Sequence, residues 1–334
     1  MHLLVGNPTA QSGKNAERIE LAKELLEKSG LEVVVFPTLP GGETIPRLAE
    51  HLVRGNVGCV ISMGGDGTFR EVASALVMCG EAERVTMGMI PTGTANDQGR
   101  SFGLEARAEA LERNVHVIAA GKETRLDAGK IHVYESATGN EKTAYFFDSA
   151  GWGLSARVLA LRNQDRKKVE ALGPLKEIYR DELVYFGAFL KTFLDSYVTN
   201  DKLDVDVVAD GTSTRLEGLT DLVVKGTRIY AGAWELDRTS KHDDGLFEIV
   251  PFRGKRDWAS KAIVDLQGNP LTEEMLNQVG IEHSKPFRAS KITMTFHEPE
   301  GGAKLAAQID GEEFFAGERV TIDVVPRVVR LLVP

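Results

Sequence analysis

The chain has 334 residues, with 40 Lys and Arg against 49 Asp and Glu, a net charge of −9 with histidine neutral. Hydrophobic residues make up 42% and charged residues 27%, which excludes a disordered or collagen-like chain and provides a core for one large domain or two of common size. The acidic balance excludes bulk nucleic-acid binding, which needs concentrated Lys and Arg against phosphate.

Residues 1 to about 125 alternate regularly. Short β-type runs at Leu3–Val5, Leu31–Phe36, Val57–Ser62 and Val85–Ile90 are each followed by a helical pattern, at Asn15–Ser29, Ile45–Arg54, Phe69–Met78 and Glu105–Ala119. Near-continuous apolar strands joined by helices predict a Rossmann-like parallel sheet covered on both faces, with ligands beyond the strand C-termini. From about residue 128 the texture becomes β-rich, at Gly129–Tyr134, Ala144–Phe147, Leu203–Val208, Asp221–Val224, Leu246–Val250, Ile292–Phe296, Lys304–Ile309 and Val320–Val325. These runs predict an antiparallel β-sandwich, with helical exceptions at Pro174–Val198 and Lys255–Leu266. The expected fold is therefore α/β plus all-β: residues 1–127 as a nucleotide-binding domain, 128–325 as the sandwich, 326–334 returning to the first, and a cleft between them. The junction at Gly121–Gly129 is short.

Three strand ends carry the chemistry. In Ser62-Met63-Gly64-Gly65-Asp66-Gly67-Thr68-Phe69 an apolar strand breaks into three glycines around one aspartate and enters a helix. Glycines let the backbone approach a phosphate, and free N–H groups at a helix start supply the positive end. A bare glycine turn is the plain alternative, but Asp66 inside a phosphate loop would repel a nucleotide unless magnesium or a substrate hydroxyl lay between. Pro91-Thr92-Gly93-Thr94-Ala95-Asn96-Asp97 follows the next strand with glycine, hydroxyls, an amide and an acid, and Asn7-Pro8-Thr9-Ala10-Gln11-Ser12-Gly13 leaves the first. No GxxxxGK[ST] occurs, so this is not a P-loop ATPase.

Together with Glu71-Val72 and a late Asp310-Gly311-Glu312, these runs resemble the soluble bacterial diacylglycerol kinase and related lipid kinase family over nearly the whole chain. The GGDGT element is shared with nicotinamide dinucleotide kinases, whereas GTAND favours the lipid kinases. The resemblance implies ATP- and magnesium-dependent transfer of the γ-phosphoryl group to a lipid hydroxyl, diacylglycerol foremost. A dinucleotide kinase and a sphingoid or ceramide kinase are the alternatives. Carried over residue by residue, it implies nucleotide contacts at Asn7, Pro8, Ser12, Thr38, Met63, Gly64, Gly65, Asp66, Gly67, Thr68, Phe69, Thr94 and Asn96. It places catalytic magnesium among Asp66, Asp97 and Asp127, and a structural magnesium at the carboxylate of Asp244 and the carbonyls of Lys241 and Leu246. Glu312 is implied as general base with Asp310 as its rival, although a DGE turn by itself reads as a hairpin tip. Departures from the family pattern include Asp148, Arg70 and Gln98-Gly99, and they leave acceptor identity open.

The remaining signals are weaker. Gly151-Trp152-Gly153-Leu154-Ser155-Ala156 fits a dinucleotide fingerprint with Glu170 about twenty residues on, but Arg166 to Glu170 is no apolar strand, so the match is rejected. Residues 157–180 carry a net charge of +4 ahead of the aromatic run 183–194. That pattern reads first as a core helix with a solvated face, and second as a transient contact with anionic membrane. The seven histidines are scattered, and Cys59 and Cys79 have no partner spacing suited to zinc, as in a reducing compartment. With no apolar run of ~18 residues and no export signal at Met1–Gly6, the expected place is the cytoplasm, with peripheral membrane association and a homodimer both compatible.

Overall fold

A computed structural model describes residues 1–10, 14–93, 95–157, 159–160, 202–230, 234–235, 239–253, 286–297 and 305–334. The helices expected at 174–198 and 255–266, and the basic and aromatic segment 161–194, lie outside these residues.

The first half alternates as its apolar periodicity predicts: β1 (His2–Gly6), α1 (Lys14–Lys28), β2 (Val33–Pro37), α2 (Thr44–Arg54), β3 (Cys59–Gly64), α3 (Asp66–Met78), β4 (Thr86–Pro91), α4 (Asp97–Ser101) and α5 (Leu111–Ala120). The strands are parallel in the order β2-β1-β3-β4. Successive side chains on a strand face opposite ways, and the core divides accordingly. Leu3, Val5 and Val60 pack with Leu48 and Leu52 of α2 and Val72 and Leu76 of α3. Leu4, Cys59 and Ile61 pack with Ile19 and Leu26 of α1 and with Val115 and Ile118 of α5. The helix expected from Glu105 is shorter, because Arg107 is extended and the Asn114 amide donates to the Glu105 carbonyl at 2.8 Å, holding a non-helical lead-in.

The second half contains β5 (Glu123–Glu135), β6 (Asn140–Phe146), β7 (Ser149–Gly153), β8 (Leu203–Ala209), β9 (Thr212–Leu219), β10 (Asp221–Lys225), β11 (Ile229–Tyr230), β12 (Trp234–Glu235), β13 (Phe247–Phe252), β14 (Phe287–Ala289), β15 (Lys291–His297), β16 (Ala307–Ile309), β17 (Glu312–Phe314) and β18 (Arg319–Leu332). One antiparallel layer runs β14-β13-β10-β7-β16-β17. The facing layer, β5, β6, β8, β9, β15 and β18, shares its core through Ile131, Trp152, Val205, Val224, Ile249, Met294 and Val320. The fingerprint-like run at Gly151 lies on β7, which is antiparallel to both neighbours, so it is not the first strand of a parallel dinucleotide unit.

The short junction at 121–129 is mostly strand. β5 runs through that stretch, paired with β18 from Arg319–Tyr134 to Leu332–Glu123. The register slips between Val325 and Val329, where Arg327 takes a left-handed φ of 54°, and beyond the slip Leu331 pairs in parallel with Met87 of β4. One ten-stranded sheet thus passes from the parallel half into the sandwich. At the other layer's edge, Ile309 pairs with Glu312 across Asp310 and Gly311, with φ of 46° and 73°, the two positive dihedrals of a type I′ hairpin.

Candidate active site

Because β1, β3 and β4 are parallel neighbours, the chain leaves Gly6, Gly64 and Pro91 at one sheet edge. Helix α3 begins at Asp66, three residues before the expected Phe69, so the glycine motif is itself the helix start. Gly65 is extended and its carbonyl accepts the Phe69 N–H at 3.1 Å. The N–H groups of the first turn have no carbonyl ahead of them in the helix and form its positive end. A Cβ on Gly93 would stand 2.5 Å from the Gly65 Cα, so the second loop meets the first backbone to backbone. Asn96, at φ 53°, closes that second loop: its Oδ1 accepts the Gly93 N–H at 2.9 Å and its Nδ2 donates to the Gly93 carbonyl at 2.7 Å. A short amide side chain is one of the few that tolerates the left-handed region.

The first loop is braced in the same way. Asn7 Oδ1 accepts the Thr9 N–H at 3.0 Å and hydroxyl at 2.8 Å, and Asn15 Nδ2 donates to the Asn7 carbonyl at 2.7 Å. Thr38 comes in from the end of β2, donating its N–H to the Gly6 carbonyl at 2.9 Å. Pro8 borders a groove with Glu20 and Val35. The side chains of Met63 and Phe69 are buried in the core, which leaves only their backbone for a ligand. Ser12 and Thr94 lie outside the described residues.

The acids differ in their hydrogen-bond partners. Asp66 Oδ1 accepts the Gln98 N–H at 3.2 Å, which ties it to α4 just past Asp97. Burial, and then the negative charge of Asp148, push the Asp66 carboxyl up to about 6. Asp127 instead belongs to the 241–246 loop: its N–H donates to the His242 carbonyl at 2.8 Å, and its oxygens accept the Gly245 N–H at 2.7 Å and the Arg327 N–H at 2.5 Å. Its carboxyl is raised, first by burial. Asp244 Oδ1 accepts the Leu246 N–H at 3.1 Å and its Oδ2 stands 4.0 Å from Arg288. Among the described residues no three His, Cys, Asp or Glu side chains converge as a metal cage. Magnesium is commonly held by one or two carboxylates with substrate phosphates and water completing its shell, so Asp66 and Asp97 fit an ion carried in by a nucleotide better than a prebuilt site.

Geometry distinguishes Asp310 from Glu312. Asp310 is 3% exposed, and its oxygens accept the N–H groups of Phe147 at 2.9 Å, Asp148 at 2.8 Å and Ser149 at 3.0 Å. It clamps the β6–β7 connection, and burial followed by Asp148 pushes its carboxyl up to about 7. The side chain of Glu312 is 53% exposed, is paired with Arg70 Nη2 at 2.6 Å, and lies where a Cβ on Gly67 would overlap its Oε1. The glycine at 67 is therefore what lets a carboxylate from the sandwich rest on the first turn of α3.

Sequence reading did not anticipate Lys225. Its Nζ donates to Asp148 Oδ1 at 2.9 Å, to Thr227 Oγ1 at 3.3 Å and to the Ile229 carbonyl, and both charged side chains are 2% exposed. The available signal was a lysine closing the wholly buried run Asp221–Lys225. A charge at such a position needs a buried partner.

With this geometry in place the comparisons are specific. The diacylglycerol kinase catalytic domain family matches residues 1–131. That match spans the parallel half and runs into β5. The "Probable lipid kinase YegS" of Salmonella gallinarum is 25% identical over 326 residues, covering 97% of this chain and 94% of that protein. Its counterpart from Escherichia coli O127:H6 is 30% identical over 149 residues, 44% of this chain. A diacylglycerol kinase structure from Bacillus anthracis Sterne superposes with a TM-score of 0.66 at 18% identity, covering 100% of this chain and 96% of that one. Yeast NADH kinase reaches 0.52 at 10% identity, covering 83% of that chain, which relates the folds alone. The chain is a phosphotransferase with an alcohol group as acceptor. Among the described residues no helix is long and apolar enough to cross a membrane.

Proposed function

We propose that this protein is a lipid kinase that transfers the γ-phosphoryl group of ATP to a lipid hydroxyl, with diacylglycerol the first acceptor to consider. The observation that carries this reading is the Glu312 carboxylate resting over Gly67, at the edge where three glycine-bearing loops gather. The loop amides and the start of α3 hold the triphosphate. Asp66 and Asp97 are the residues that would hold magnesium, which screens phosphate charge when bound. Asp244, with the Lys241 and Leu246 carbonyls, would hold a second, structural ion beside Asp127.

An alcohol is a weak nucleophile at neutral pH, and a carboxylate within ~3 Å of its O–H accepts the proton as the new bond to phosphorus forms. Glu312 takes that proton, the acceptor oxygen bonds the γ-phosphorus, and the bond from the γ-phosphorus to the bridging oxygen breaks to release ADP. Asp310, enclosed by three N–H donors, supports the turn that presents Glu312. The working division is residues 1–127 with 326–334 for the nucleotide and 128–325 for the lipid.

The test is transfer from γ-labelled ATP to a panel of diacylglycerol, phosphatidylglycerol and ceramide in mixed micelles, with nicotinamide dinucleotide as the water-soluble arm. Label is expected in a lipid band, with Glu312→Gln lowering turnover by about 10²- to 10⁴-fold. Label in the dinucleotide alone would overturn the lipid reading, and full turnover by Glu312→Gln would remove Glu312 as base.

A further inference from the structure

Glu312 stands on the exposed side of a hairpin tip, on a side chain more than half open to water. Left to itself, such a glutamate samples many rotamers, and a general base that wanders by an ångström loses much of its effect. The group that restricts it is Arg70. Its guanidinium rises from α3 one helical turn after Asp66, and its side chain is only 16% exposed, so packing fixes the cation from which Glu312 hangs. Arg70 Nη2 meets Glu312 Oε2 at 2.6 Å while Oε1 lies against Gly67, so each oxygen of the carboxylate has its own contact. The Glu71 carboxyl is raised first by burial and then by the charge of Glu312, so the two acids repel one another. The bond joins residues 242 positions apart, one from the parallel half and one from the sandwich.

We propose that Arg70 is the positioning residue of the reaction, holding Glu312 over the first turn of α3 where the acceptor hydroxyl must arrive. The inference rests on Glu312 being the base. An ion pair whose carboxylate is 53% exposed adds little to stability, whereas misplacing a catalytic group is costly, so Arg70 is expected to act mainly on turnover. The Arg70 guanidinium hydrogen-bonds Glu312, and its removal is expected to leave ATP binding intact.

The experiment compares Arg70→Met, Arg70→Lys, Glu312→Gln and the Arg70→Met/Glu312→Gln pair by γ-label transfer and thermal melting. Arg70→Met is expected to lower kcat by roughly 10- to 100-fold with KM for ATP within about twofold and Tm unchanged. Arg70→Lys recovers part of that loss, since it keeps a cation without the fixed fork. In the Glu312→Gln background, Arg70→Met costs nothing further, because the group it positions is gone. An unchanged kcat in Arg70→Met, a loss confined to KM for ATP, or an equal further loss in the double variant would each overturn the proposal. Wild-type turnover by Glu312→Gln alone would overturn the base assignment beneath it, before any Arg70 variant is considered.

Discussion

Asp66→Asn is expected to reduce phosphoryl transfer on the order of 10³-fold while leaving the protein folded and more stable than the wild type. The amide keeps an oxygen to accept the Gln98 N–H and removes a charge that burial and Asp148 both oppose. The sign with pH follows from linkage. A carboxyl raised from 3.8 to about 6 on folding binds its proton more tightly when native, so wild-type stability falls as pH rises between those values. The variant does not titrate there. Its advantage is small below pH 3.8, grows through the interval and levels off above about 6. Thermal melts across that range, alongside label transfer, check both halves. A residue that costs stability and is required for turnover has been placed for chemistry, whereas equal stability at every pH would mean that Asp66 is not disfavoured in its charged form.

The second large effect concerns the buried pair behind the site. Lys225→Met leaves the buried Asp148 without its cation while the Thr227 hydroxyl still donates to it, and removing one partner of a buried ion pair costs about 3–5 kcal/mol. Methionine has nearly the volume of lysine, so little of that loss is packing. Replacing both partners, as Lys225→Met with Asp148→Asn, is expected to restore most of the stability, since the amide oxygen still accepts from Thr227 and neither position then carries a charge. Denaturant unfolding of the single and double variants decides this. If the single variant unfolds at the wild-type midpoint, the ion pair contributes nothing to the fold.

Those two cases show what a linear reading reaches. The parallel half was legible because β1, β3 and β4 are buried on both faces and therefore continuously apolar, and because glycine lies at or just past the end of each of the three. α4 was not, since five residues show no period. The path of β18 was not, since nothing local tells a strand that its first part pairs with the sandwich and its last residues with β4. The choice between Asp310 and Glu312 needed three dimensions: the two lie two residues apart in one turn, and only folding gives one three N–H partners and the other an arginine. Lys225 and Asp148 are 77 residues apart, and each alone looks like an ordinary charge. The hydrogen bonds of Asp127 to Gly245 and Arg327 join residues 118 and 200 positions apart, beyond any linear reading.

Calorimetric titration of the protein with ATP in the presence and absence of magnesium tests the gathered loops most directly. A single site per chain is expected, tight enough to saturate with the metal present and markedly weaker without it, because Asp66 then faces the phosphates unscreened. No uptake of ATP with magnesium supplied, or equal affinity with and without it, would contradict the account.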